Sequence, residues 1–217
     1  MKHVTTILLV FLTLAATRIN AQTQYEKHFD ITAYGAYMWG DYYPAYNAEV
    51  KVNAAGYWGI ALGMSMGKKF AGEFHYQMVN TSVSIRPYLG NDISPDNVDV
   101  TSNWFLIGSM NELPMSKKFS LFGYGGIGAV YNVPTSSEKQ SLNLYQSTWS
   151  FGVAIQGGFK YWVSDRIALR GFLALNMPMQ FSGVGFYLGT GGSGLGLNSY
   201  SSLFLFNMGG GITFRLK

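Results

Sequence analysis

A chain of 217 residues suits one domain, and its make-up narrows the class: charged residues are only 12%, aromatics 16%, and 27 residues are Gly. Soluble domains carry roughly 25% charged residues, and disordered chains are polar and charge-rich, so neither description fits. The absence of Cys excludes disulfides, thiol nucleophiles, thiolate metal sites and lipoprotein-type acylation, while the net charge of +4 is too scattered to form a nucleic-acid-binding stripe.

The N-terminus has the form of a secretory leader. Lys2 and His3 give a short polar start, Ile7 to Ala16 an apolar core of about ten residues, and Ile19-Asn20-Ala21 a small residue at the cut. Residues 1–21 are therefore expected to be a signal peptide and 22–217 one mature domain beginning at Gln22. Removing Lys2 and Arg18 leaves 13 basic against 11 acidic residues, a net of +2. No internal apolar run reaches the roughly 18 residues a membrane-spanning helix needs, which excludes a helical bundle.

From there the chain alternates. Trp58, Ile60, Leu62, Met64 and Met66 share one parity; Gly59, Ala61, Gly63, Ser65 and Gly67 share the other. Successive strand side chains face opposite sides, so this segment has one bulky apolar face and one tiny face. The pattern returns in Phe151, Val153, Ile155, Phe159 and Tyr161, in Ile167, Leu169, Leu173 and Leu175, and in Met208, Ile212, Phe214 and Leu216. A soluble sandwich or lipocalin-like barrel would turn a charge-rich face to water, and 24 charges in the mature chain cannot supply eight such strands. Bulky residues facing lipid, with small residues and single charges in a crowded interior, explain both faces.

Eight strands are expected at about 29–39, 57–67, 70–80, 101–112, 119–131, 148–162, 166–176 and 202–216. In the fourth, Trp104, Leu106 and Met110 compete with Phe105 and Ile107 for the lipid face. Tight connections (Gly67-Lys68-Lys69, Pro114 to Lys118, Ser164-Asp165) alternate with long ones (40–56, 81–100, 132–147, 177–201). Short periplasmic turns and longer outward loops have this rhythm, and an even strand count returns both termini to the periplasm. Tyr37, Trp39, Tyr42, Tyr43, Tyr57, Trp58, Trp104, Tyr161 and Trp162 sit near strand ends and are expected to form interfacial girdles. The fold class is thus all-β: an eight-stranded antiparallel transmembrane β-barrel of up-and-down topology, with no linker, second domain or repeat.

The leader ending near Ala21-Gln22, the alternating strands, Leu113-Pro114 before a basic turn, and Gly123-Tyr124-Gly125-Gly126-Ile127-Gly128 opening the fifth strand resemble the OmpA/OmpX-like "porin family" barrels of the Bacteroidetes type. The resemblance spans nearly the whole mature chain and implies a Gram-negative outer-membrane location, but no reaction. One departure is the end of the chain: such barrels often finish on an aromatic residue, whereas Phe214 here lies three residues in.

The interior parity supplies Glu73, His75 and Gln77, Lys160, Arg170 and Arg215. Buried charges need partners, so Glu73 is expected to pair with Arg170 or Arg215 in a packed polar core that blocks flow. Ser65, His75 and Glu73 have the residue types of a hydrolytic triad, which would suit a lipid deacylase, but their spacing matches no motif and they lie by a tight turn. The Gly189 to Gly194 run lacks the Lys of a phosphate loop, and Asp92, Asp96 and Asp99 lack calcium-loop spacing. No cofactor or metal is expected. The expected role is structural or surface interaction through the outward loops, not catalysis. The partners would be outer-membrane lipid and lipopolysaccharide and an extracellular or envelope protein, with no nucleic acid; a narrow passive pore and a lipid-modifying enzyme are the alternatives.

Overall fold

The structure, a computed structural model, describes residues 27–44, 48–67, 69–87, 96–137, 147–179, 185–186, 195–196 and 204–216. The signal peptide expected over 1–21, Asp92 and the Gly189–Gly194 run lie outside the described residues. Eight strands act as staves: β1 Phe29–Met38, β2 Ala55–Ser65, β3 Phe70–Pro87, β4 Asp96–Pro114, β5 Phe119–Ser137, β6 Thr148–Trp162, β7 Ile167–Met179 and β8 Leu205–Leu216. Each pairs antiparallel with the next in sequence, and β8 pairs back onto β1 from Phe29↔Leu216 to Met38↔Asn207. The result is a closed up-and-down barrel with no free edge among its staves.

The two parities separate as alternation dictates. Ile60, Leu62, Phe74, Ile107, Ile155, Phe159, Leu169, Leu173, Ile212 and Phe214 all point outward and are exposed. They form a continuous apolar belt, far larger than the patches of a few hundred Å² that soluble monomers expose. Such a belt is stable against hydrocarbon, which is how transmembrane barrels are built. One glycine shows how space is shared inside. Gly158 faces the lumen, and a Cβ added there would run into the Gly171 carbonyl oxygen of the neighbouring stave and come within 2.8 Å of the Phe122 ring, so any larger residue would displace backbone as well as that ring.

The fourth stave resolves its competing parities by turning Trp104, Leu106 and Met110 inward and Phe105 and Ile107 outward. Two expected girdle residues are therefore corrected. Trp104 and Tyr57 are buried lumen residues, since both share parity with inward neighbours. Trp162 is also corrected: it lies under the Arg215 guanidinium, 3.9 Å from ring centroid to Cζ. Tyr37, Trp39, Tyr42, Trp58 and Tyr161 are exposed, as a girdle requires. The side chain of Tyr43 is outside the described set.

The tight turns close by backbone bonds, with the Met66, Met115 and Val163 N–H groups donating to Phe70, Phe119 and Ile167 carbonyls. Ser116 and Ser164 repeat one device: each hydroxyl accepts from the N–H groups two and three residues ahead, at 3.1–3.3 Å.

The long connections differ from expectation. Segments 81–87, 96–100 and 132–137 continue staves β3, β4 and β5, and the β1–β2 connection carries a hairpin, Asp41–Pro44 with Ala48–Val52. That hairpin pairs with β3 from Val52↔Val83 to Ala48↔Pro87. A five-stranded sheet thus stands out beyond the barrel at the end away from the tight turns. Its strands are mostly Thr, Ser, Val, Asn and charged residues, with Tyr42, Tyr43 and Ile85 as isolated bulky positions and no run of alternate bulky residues like the belt's, so it reads as loop. The register shifts between Asp99 and Val100, opposite Pro134, whose missing N–H cannot serve a regular ladder.

Candidate functional site

The lumen gathers the chain's buried polar groups in layers. Nearest the tight turns, the Arg215 guanidinium donates to both Asp30 carboxylate oxygens at 3.0 and 3.2 Å. Lys160, with no solvent exposure, donates to Glu112 Oε2 at 3.2 Å and lies 3.8 Å from Asp30. The Ser120 hydroxyl donates to the other Glu112 oxygen at 2.6 Å. Lys160 and Arg170 are register partners on neighbouring staves. Two cations side by side are tolerable because their carboxylates arrive from three other staves, β1, β3 and β4.

The middle layer centres on Glu73. Arg170 Nη1 and Nη2 donate to its Oε1 and Oε2 at 3.1 and 3.3 Å, and His75 Nε2 is 2.8 Å from Oε2. Staves β3 and β7 are four apart in a ring of eight, so the Glu73–Arg170 pair crosses the full width of the lumen. Aromatic rings pack around it: Phe122 under the Arg170 guanidinium at 4.2 Å, Tyr124 stacked on His75 at 4.2 Å, and Phe172 edge-on to Tyr34 at 5.5 Å. A bidentate pair with both members buried is worth keeping when further bonds surround it, and here His75 Nε2 meets Glu73 and Arg170 Nη2 also donates to Gln156 Oε1 at 3.4 Å.

The third layer is neutral. Asn176 Nδ2 donates to Gln77 Oε1 at 3.1 Å, again between β7 and β3, and Asn207 Nδ2 donates to the Leu205 carbonyl at 2.7 Å. Beyond it, Met38, Val79 and Leu205 are buried apolar residues.

Of the residues singled out from the sequence, Glu73, His75 and Arg170 meet in one cluster, while Lys160 and Arg215 belong to the layer below, joined through Asp30. Glu73 pairs with Arg170 and not with Arg215. Sequence reasoning misses Asp30 and Glu112. Asp30 shares parity with Thr32 and Tyr34, a signal that could have found it; Glu112 is hidden by the ambiguous parity of β4. Counting these, the described part of the lumen holds three acids (Asp30, Glu73, Glu112) against three permanent cations (Lys160, Arg170, Arg215), so it is electrically balanced. Ser65 stands apart from His75. Its hydroxyl accepts from the His28 N–H at 2.9 Å, while the His75 nitrogens face Glu73 and, at 3.5 Å, the Tyr34 hydroxyl. The three do not form a nucleophile–base–acid relay in this geometry.

No protein-family model matches the chain, and no curated protein matches it. Among solved structures the chain is similar to Neisserial surface protein A, with a TM-score of 0.55 and 10% identity over 87% of this chain and 97% of that one. It is equally similar to the outer-membrane protein OprG from Pseudomonas aeruginosa, with a TM-score of 0.55 and 13% identity over 91% of this chain and 99% of that one. At these identities the likeness is one of fold, and together with the ring closure and the apolar belt it gives one conclusion: the chain has the fold of the small eight-stranded outer-membrane β-barrels.

Proposed function

We propose that the protein is an integral outer-membrane barrel with a non-enzymatic, surface-interaction role, exported by the leader at 1–21 and presenting its protruding sheet outside the cell. The observation that carries this reading is the contrast between the two parts. The barrel is lipid-facing outside and crossed by ion pairs inside, which suits an anchor. The sheet of 41–44, 48–52, 81–87, 96–100 and 132–137 extends beyond it, with Tyr42 exposed at its margin. Short turns at one end and a large projecting element at the other match periplasmic and extracellular ends. The neighbour named Neisserial surface protein A is in keeping with this placement. The partners would be an extracellular or envelope protein and the lipopolysaccharide around the barrel's outer rim.

The test replaces residues 40–53 by a short Gly-Ser turn. The expected result is a variant that still inserts and keeps heat-modifiable gel mobility but loses surface binding or envelope integrity. Insertion with both properties unchanged would remove the proposal. The pore alternative requires open passage, against which the Glu73–Arg170 crossing stands. The lipid-modifying alternative is decided by mass spectrometry of lipid A with and without the gene.

A further inference from the structure

The three tight turns are built to one plan, and the entrance to β1 follows it. In each, the residue just before the first outward-facing residue of the next stave is basic: Lys69 before Phe70, Lys118 before Phe119 and Arg166 before Ile167, with His28 before Phe29 at the seam. All four hold the same backbone place. The carbonyls of His28, Lys69, Lys118 and Arg166 accept from the N–H groups of Ser65, Glu112, Trp162 and Arg215 at 2.7–3.0 Å. The positions recur at the start of β1, β3, β5 and β7, every second stave, so basic residues are spread around the whole ring.

The belt fixes their depth. Met66, Met115 and Val163 end the preceding staves, are exposed, and donate their N–H groups to the carbonyls of Phe70, Phe119 and Ile167. Apolar surface therefore continues to the last pair of each hairpin, and the cations stand one residue further, about 3.3 Å along the chain. At this end the charges follow the belt directly, whereas at the other end the protruding sheet stands above it.

The sign of charge also separates the ends. In the sequence, segments 67–69, 114–118 and 164–166 hold five basic residues against one acidic, while the long connections at 40–56, 81–100, 132–147 and 177–201 hold three basic against six acidic. The lumen cations Lys160, Arg170 and Arg215 each meet a carboxylate. Among the described residues, Lys69, Lys117, Lys118 and Arg166 take part in no ion pair.

We propose that the tight-turn end of the barrel is a binding collar for anionic phospholipids, each cation taking the phosphate of a headgroup whose acyl chains lie along the belt. The collar rests on the reading of the chain as a membrane-inserted barrel. A diacyl lipid matches both halves of the arrangement, its phosphate facing Lys or Arg and its chains facing the apolar pairs beside them. A soluble acidic partner would have to enter the headgroup layer to reach charges one residue from hydrocarbon.

The test reconstitutes the protein, freed of residues 1–21, in phosphatidylcholine bilayers. Electron spin resonance of chain-labelled phosphatidylglycerol, against chain-labelled phosphatidylcholine, reads the selectivity of its boundary shell. One Lys or Arg at an anionic surface is worth about fivefold, so a preference of about twofold averaged over the whole shell is expected. High salt should bring it toward equality, a check that needs no substitution. The variant Lys69→Gln/Lys117→Gln/Lys118→Gln/Arg166→Gln should lose the preference while keeping heat-modifiable mobility, since all four positions lie in turns. Equal association of the two lipids with the unsubstituted protein, or an undiminished preference in the fourfold variant, would overturn the proposal. So would salt-sensitive sedimentation with isolated peptidoglycan in place of lipid selectivity, which would make the turns a polymer-binding face. Failure of the unsubstituted protein to insert in either lipid would remove the membrane-barrel reading and the collar with it.

Discussion

Arg170 illustrates what a single lumen residue does. Its guanidinium satisfies Glu73, stacks on Phe122 and lies 3.4 Å from Gln156 Oε1, all away from solvent. Arg170→Met would leave Glu73 as a buried carboxylate without its bidentate partner, at an expected cost of about 3–5 kcal/mol. The double variant Glu73→Gln/Arg170→Met should recover most of that loss, because it removes the uncompensated charge along with the pair. Urea unfolding of the barrel in lipid vesicles, followed by Trp fluorescence, checks both; a double variant no more stable than the single would contradict the argument. Ser164 works on a smaller scale. Its hydroxyl accepts from the Arg166 and Ile167 N–H groups in an exposed turn, so Ser164→Ala should cost about 0.5–1.5 kcal/mol by the same measurement.

At the scale of a strand, the fate of a residue is set by parity and depth more than by its neighbours in sequence. On β6, Ile155 faces outward while Ala154 and Gln156 on either side are buried in the lumen. Ile155→Arg would put a charge in the middle of the apolar belt and should cost about 2–4 kcal/mol, whereas Val163→Arg, on the same parity just past the end of that strand, should cost about 0–1 kcal/mol. The comparison needs both variants refolded in the same lipid; equal effects would mean that the belt does not meet hydrocarbon. The Trp104 and Tyr57 positions carry the complementary lesson. Aromatics near strand ends are expected to mark the membrane interface, but ring size alone does not choose a face. On β4 both faces carry large apolar residues, so periodicity cannot separate them, and closure of the ring makes the choice.

For the whole molecule, the decisive contact is the seam. Every residue of β1 pairs with β8, joining the two ends of the described chain through Phe29↔Leu216 and its nine successors. Deleting residues 212–217 would remove the paired partners of Phe29 to Ala33 and leave an open sheet edge in lipid, where unpaired N–H and C=O groups are costly. Such a variant should lose the compact band seen before boiling on gels; retention of that band would show that closure does not depend on the seam. The intact barrel should give no sustained single-channel steps in planar bilayers, because Glu73 and Arg170 meet across its width and other side chains fill the rest. Steady conductance in the unsubstituted protein would favour the pore alternative.

The sequence alone determined the class, the strand count and the belt, because a period of two with bulky residues on one parity has a single consistent reading in a chain this poor in charge. It also placed Glu73, His75, Lys160, Arg170 and Arg215 on the inner face, since each shares parity with small residues. Only the tertiary structure decided which acid meets which base. Partners such as Asp30 and Lys160 lie on staves far apart in sequence, and their meeting depends on the stagger at which the ring closes, a quantity no local pattern encodes. The protruding sheet was hidden for a related reason: in water neither of its faces needs a bulky apolar residue, so the signal that marks a strand in lipid is absent where these strands leave it.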